Sequence, residues 1–167
     1  MEADAAFTCS SGVVCAVKIA DCMPVLLSDR SGTRVGIAHA GWRGLAAGVI
    51  ERTIEALATH PDRLIAYLGP AIGPDAFEVG EDVRSAFCSQ DSAAEAAFRP
   101  HRDRKWLADL FTLARQRLAR CGIDDVHGGG LCTYSDPARF YSHRRNPITG
   151  RMAAFIWLDA SRGSDSV

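Results

Sequence analysis

The hydrophobic positions of this chain follow two periods, and each predicts a different element. Residues 12–20, "GVVCAVKIA", form an apolar run rich in β-branched side chains and predict a buried strand. Two more apolar runs, "PVLLSD" (24–29) and "TRVGIAHA" (33–40), flank the turn-forming "SDRSGT" and predict a β-hairpin. A turn centred on Arg30-Ser31 sets Cys22 opposite His39, and a bulge at Gly32 shifts that pairing by one residue. From 44 to 60 the period changes: Leu45, Val49, Ile50, Ile54 and Leu57 recur at helical spacing, with Pro61 beyond the end. Residues 106–122, "WLADLFTLARQRLARCG", repeat that spacing and close on Gly122 as a C-terminal cap.

Between these helices, "LIAYL" is a short strand entering the loop "GPAIGP", and "EDVRSAF" is a brief helix. Residues 89–105 are polar and alanine-rich and predict no definite element. From His127 onward come a strand, a loop carrying Tyr141, Arg144 and Arg145, and a last apolar strand ending near Leu158. No linker interrupts the chain, so the pattern predicts one α/β domain over residues 1–158 and a flexible tail over 159–167.

Composition narrows the classes of function. A chain of 167 residues, 47% hydrophobic and 23% charged, is long enough for a real core and ordinary for a soluble domain. Its net charge of −1 argues against nucleic acid or an anionic membrane as the main partner, since both select a basic excess. "MEADAAFTCSSG" has no apolar core and does not read as a signal peptide, and no apolar run approaches the ~18–20 residues of a membrane span. The expectation is a cytoplasmic protein with reduced thiols, in which Cys9, Cys15, Cys88, Cys121 and Cys132 are packing residues. Lys18 and Lys105 are the sole lysines among 19 basic residues, and the arginines suit bidentate recognition of phosphate or carboxylate.

The chemistry concentrates at the open end of the hairpin. Cross-strand neighbours on one face stand about 4.5–5.5 Å apart at Cβ, so Cys22 and His39 can share a metal ion, or the imidazole can activate the thiol. As an isolated pair they also fit two ordinary core residues. "AGWRG" (40–44) then turns from strand to helix, where backbone N–H groups face outward and Arg43 adds a guanidinium. Arg43 is the candidate phosphate contact, with a surface ion pair as its structural alternative, and Trp42 reads first as a core residue. Asp21 is placed to orient a neighbouring ligand or to stabilise the turn.

Five collinear motifs, "ADCMPVLL", "HAGWRG", "LGPAIGPDAFEVG", "LCTY" and "FYSHRRNPITGRMAAFIW", resemble the YfiH-type laccase-domain family over about residues 2–158. That family is labelled multicopper polyphenol oxidoreductase and also read as purine nucleoside phosphorylase. The resemblance implies a three-layer α/β/α-type fold and phosphorolysis of adenosine, inosine and methylthioadenosine, with adenosine deamination besides. It implies purine nucleosides and phosphate as partners, and a metal site of two histidines and one cysteine holding zinc, sometimes copper. By matching motif, Cys22 and His39 are two of those ligands and the catalytic centre. The family's third ligand lies in a Gln-Val-His stretch upstream of "EADA", and no histidine precedes His39 here. The chain is therefore expected to be short at its N-terminus and to lack one ligand, with His127 as a candidate replacement.

Other readings stay open at this point. Polyphenol oxidation needs clustered imidazoles for several coppers, whereas five scattered histidines with no His-x-His pair argue against that cluster. A metal-free hydrolase or deamidase would use Cys22 as nucleophile and His39 as base. An inactive shortened chain would keep the pair as a structural remnant.

Overall fold

The structure is a computed structural model and describes residues 3–159. The two apolar hairpin runs become β3 (Met23–Asp29) and β4 (Val35–Ala40). β3 lies between β4 and β5 (Leu64–Leu68), antiparallel to both. β1 (Ala5–Thr8) pairs on the far side of β4, and β9 (Val126–Gly128) runs parallel to β5. The result is a five-stranded mixed sheet in the order β1-β4-β3-β5-β9.

Alternation along the strands gives this sheet two apolar faces. One face carries Met23, Val25, Leu27, Ala38, Ala66 and Leu68, packed against α2 (Val49–Leu57) and α4 (Leu110–Arg120). Ile50, Ile54 and Leu57 of the first helix and Leu113, Ala114 and Leu118 of the second fill this core. Complete burial of such a leucine or isoleucine contributes about 1.5–3 kcal/mol. The other face presents Ile37 and Leu26 to a two-stranded ribbon, β2 (Val14–Ile19) with β10 (Met152–Trp157), through Cys15, Val17, Ile19, Ala154 and Ile156. The three layers are thus helices, mixed sheet and β-ribbon, the ribbon standing where the resemblance implies a second helical layer. A small sheet of β6 (Glu78–Gly80), β7 (Phe98–Pro100) and β8 (Lys105–Ala108), with α3 (Glu81–Cys88), closes one end.

Three elements differ from the pattern-based expectation. The 12–20 run is buried on one face only, because it belongs to a two-stranded ribbon: Val14, Ala16 and Lys18 are exposed while Cys15, Val17 and Ile19 are buried. The 44–60 helix is two helices, α1 (Trp42–Ala46) and α2, separated by Gly48 at φ +84°. That left-handed residue turns the chain so that the apolar stripe of α2 meets the sheet. In the 106–122 segment, Trp106–Ala108 pair with β6 and β7, and the helix starts only at Leu110. Asp109 is its N-cap, its carboxylate accepting the N–H groups of Phe111 (2.9 Å) and Thr112 (3.1 Å).

Among the described residues no helix is long and apolar enough to cross a membrane. The reading of a flexible tail falls on 160–167, outside the described residues. Replacing Gly48 by alanine forces an L side chain into the left-handed region, so urea unfolding is expected to give a loss of about 1–2 kcal/mol. An unchanged midpoint would mean that the helix break does not depend on this glycine.

Candidate functional site

The hairpin register sets the geometry. Asp29 organises its turn: the carboxylate accepts the N–H of Thr33 (2.7 Å), the N–H of Arg34 (3.0 Å) and the hydroxyl of Thr33 (2.7 Å). Burial opposes ionisation of Asp29, but these hydrogen bonds prevail and hold its pKa below the ordinary value. The loop is longer than a two-residue turn, and the strands slip by two positions. Pro24, not Cys22, pairs with His39, and Met23 pairs with Ala40. A slip of two keeps every side chain on its own face, so Cys22 and His39 remain on one side of the hairpin as diagonal neighbours.

Gly41 closes that diagonal. A Cβ built on Gly41 would stand 2.7 Å from Cys22 Sγ and 3.8 Å from His39 Cε1, so the thiol and the ring converge on the space a side chain would fill. Both are partly exposed. The N–H of His39 donates to the carbonyl oxygen of Asp4 (2.7 Å), and Nδ1 lies 3.3 Å from Asp4 Oδ1. In the tautomer with its proton on Nδ1 the imidazole donates to this carboxylate and leaves the Nε2 lone pair available. Asp4, Lys18, His39 and Ala153 line a cleft of about 440 Å³ beside the ribbon.

The charges around Cys22 have mixed signs. Its thiol pKa is raised, first by burial and then by the Asp21 and Asp4 carboxylates, while Arg151 and Arg43 oppose the rise. Arg43 is exposed and lies over the Trp42 ring, its guanidinium carbon 4.4 Å from the centroid. Among the described residues neither Arg43 nor Arg151 has a carboxylate partner; Arg151 donates only to the carbonyls of Thr149 and Gly150. α1 after "AGWRG" is only five residues long, so its dipole adds little and the arginine supplies most of the positive charge.

The other candidates lie elsewhere or serve the fold. His127 sits on the edge strand β9, bonded to Asp125 at 2.7 Å, and is no substitute ligand. His60 and His101 are engaged by Asp62 and Glu78. Arg145 donates to the carbonyls of Thr133, Tyr134 and Phe140, and Arg144 donates to the carbonyl of Glu78, so both brace the loop. Among the described residues no group of three or more His, Cys, Asp or Glu side chains is arranged to hold a metal ion. Cys22 and His39 are two donors, fewer than the three protein ligands of a catalytic zinc centre. These residues alone do not fit zinc or copper.

Residues 1–159 match the model of the family described as multi-copper polyphenol oxidoreductase laccase. The chain belongs to this family. It is 56% identical over 157 residues to the purine nucleoside phosphorylase YfiH of Escherichia coli K12, covering 94% of this chain and 64% of that protein. It is 54% identical over 159 residues to a purine nucleoside phosphorylase of Pseudomonas aeruginosa, covering 95% and 66%. Superposed on a Neisseria meningitidis crystal structure it gives a TM-score of 0.93 at 52% identity, over 95% of this chain and 65% of that one. On YlmD from Geobacillus stearothermophilus the score is 0.84 at 30% identity, covering 93% and 61%. The laccase-family chain thus spans about two thirds of the length of the relatives it matches.

The sequence reading of this family member missed Asp4, Arg151 and the character of Cys132. Cys132 was expected to pack. Instead its sulfur accepts the N–H of Gly73 (3.1 Å) and the hydroxyl of Ser135 (3.3 Å), at the wall of a separate cleft of about 420 Å³. Burial raises its pKa, but these donors and the N–H groups of Tyr134 and Ser135 outweigh burial and lower it. Ser135, directly after "LCTY", is its one local sequence signal; the other donor, Gly73, lies 59 residues away in the chain and only the fold brings it to the sulfur.

The two thiols are therefore expected to react in opposite order to their sequence prominence. At neutral pH a lowered pKa enlarges the thiolate fraction and a raised one shrinks it. In a Cys9→Ser background, iodoacetamide at pH 7 should label Cys132 well before Cys22, Cys88 or Cys121, as read by peptide mass spectrometry. Labelling of Cys22 first would contradict the charge balance described above.

Proposed function

We propose that this chain carries the substrate-handling centre of a purine nucleoside phosphorylase acting on adenosine, inosine and methylthioadenosine. The observation that carries the reading is the convergence of Cys22 and His39 at Gly41, with Arg43 and Arg151 standing close by, neither of them paired with a carboxylate among the described residues. A site with an imidazole and available guanidinium groups suits a reaction that positions inorganic phosphate against a nucleoside. The names of the E. coli and P. aeruginosa relatives support it.

In that reaction a phosphate oxygen bonds to ribose C1′ as the C1′–N9 bond breaks. The bonding pair leaves with the purine, a proton adds to the purine, and ribose 1-phosphate remains. Arg43 holds the phosphate and Arg151 adds positive charge; His39, oriented by Asp4, passes the proton. Holding the two reactants in place lowers the barrier by several kcal/mol. Deamination of adenosine is the accompanying activity we propose: water adds at C6 and ammonia departs, with His39 moving the proton. A metal, if further donors complete the Cys22–His39 pair, would act as a Lewis acid.

Two rival readings are weaker. A Cys22 nucleophile is favoured by a lowered thiol pKa, whereas burial with the Asp21 and Asp4 carboxylates pushes it up and leaves activation to His39 alone. Polyphenol oxidation needs a multicopper ligand cluster, and the histidines are dispersed to separate edges and loops.

The purified chain is expected to release hypoxanthine from inosine only when phosphate is present, with ribose 1-phosphate as co-product. Release of free ribose, or none at all, would overturn the phosphorylase reading. Arg43→Ala should raise KM for phosphate by about ten- to hundredfold, the loss of one charge-assisted contact. Gly41→Ala places a methyl group 2.7 Å from Cys22 Sγ and should lower kcat/KM at least about tenfold while the protein stays folded.

A further inference from the structure

Asp21 is the one non-glycine residue beside the site that the fold holds in an unfavourable backbone state, at φ +88°. Such conformations cost about 1–3 kcal/mol and persist where the surroundings over-determine them. Here the surroundings do so at both carboxylate oxygens and at the backbone carbonyl. The side chain is buried, 8% exposed. Oδ1 accepts the hydroxyl of Thr133 at 2.6 Å, and Oδ2 accepts the hydroxyl of Ser142 (3.0 Å) and the N–H of Arg144 (2.7 Å). The backbone carbonyl accepts the N–H of Ile72 at 2.9 Å. Thr133 and Ser142 are themselves fully buried.

These bonds join the residue immediately before Cys22 to both ends of the 133–144 loop. The loop is braced internally by Arg145, whose guanidinium binds the carbonyls of Thr133, Tyr134 and Phe140 and so ties its start to its middle. It presents Tyr141, half exposed, with its ring so close to Gly150 that an added Cβ there would stand 2.8 Å from Cε2. Met152 pairs with Ile19, which brings the chain just before it alongside Ala20–Cys22. An exposed aromatic ring on a rigid loop, tied next to the Cys22–His39 pair, is suited to stack on a purine.

We propose that Asp21 is a positioning residue that clasps the 133–144 loop against the Cys22 turn and thereby sets the nucleoside-binding surface. The inference rests on the phosphorylase reading for its ligand, but the clasp can be read without activity. Asp21→Gly suits the test because glycine adopts φ +88° freely, so its effect belongs to the lost carboxylate. Asp21→Asn is the conservative rescue: asparagine tolerates positive φ, its amide oxygen can accept from Ser142 and Arg144, and Thr133 can reverse its hydroxyl to accept from the amide.

Limited trypsin digestion of the folded proteins should show cleavage after Arg144 or Arg145 at least about tenfold faster in Asp21→Gly than in wild type. In Asp21→Asn it should stay within about threefold. KM for inosine should rise about tenfold or more in Asp21→Gly while KM for phosphate changes less than about threefold, and Asp21→Asn should restore it. A merely structural role would lower kcat by reducing the active fraction and leave both KM values in place; that result overturns the proposal, as does wild-type loop cleavage in Asp21→Gly. Should Asp21→Gly fail to fold, Thr133→Val/Ser142→Ala removes two donors and is judged by the same criteria. A wild-type chain without phosphorolysis overturns the activity reading, whereas the cleavage comparison still decides the clasp.

Discussion

Pairing of β3 with β4 is the constraint from which the site follows. Because β3 is central, its register is locked from both sides, by β4 and by β5. Asp29 then fixes how many residues the turn consumes, through three hydrogen bonds to Thr33 and Arg34. Displacement by a single residue would send Val25 and Leu27 to the ribbon face and move His39 away from Cys22. The observed displacement of two preserves both the core and the pair. It also brings Gly41, rather than His39, level with Cys22, and the missing side chain at Gly41 is the space the thiol and the ring share.

Two cysteines of this chain show how far surroundings decide chemistry. Cys22 has carboxylates nearby and little water, so its thiol holds its proton. Cys132 is also partly buried, but N–H and O–H groups point at its sulfur and favour the thiolate. The arginines divide in the same way. Arg117 is buried against Glu51 (2.8 Å) and Gln90 (3.0 Å), and Arg145 is spent on loop carbonyls. Arg43 and Arg151 reach solvent beside Cys22, with no carboxylate partner among the described residues. An arginine-rich composition thus divides between guanidinium groups that brace the fold and others, Arg43 and Arg151 among them, that face solvent.

The layered arrangement gives this site rigid support and an exposed entrance. Cys22 and His39 stand at strand ends, where backbone pairing leaves little freedom, and Asp4 comes from the segment that enters β1. The loop from 133 to 144 lacks regular structure, yet hydrogen bonds of Asp21, Ser142 and Arg145 tie it at both ends and in its middle. Strain at Asp21 is the local cost of joining a strand end, the Ile72 segment and that loop at one carboxylate.

Period and punctuation along the chain determined a good deal. Alternating and continuous apolar runs gave β3, β4, β5 and β10, and the stripe Ile50–Ile54–Leu57 gave α2, because burial of those side chains is the same in any compatible packing. The motif-bearing residues Cys22, His39 and Arg43 were visible for the same reason: their types and their nearness to one turn are local facts. Tertiary structure decided the rest. Whether Trp106–Ala108 extend a helix or pair as a strand depended on partners at 79 and 98, distant in sequence. Which donors face Cys132 and lower its pKa depended on Gly73, far away in the chain, and whether Asp21 caps a turn or clasps a loop depended on groups more than a hundred residues away. Local spacing carries short-range sterics and hydrophobic period; hydrogen-bond partners and electric fields are set by neighbours that only the folded chain brings together.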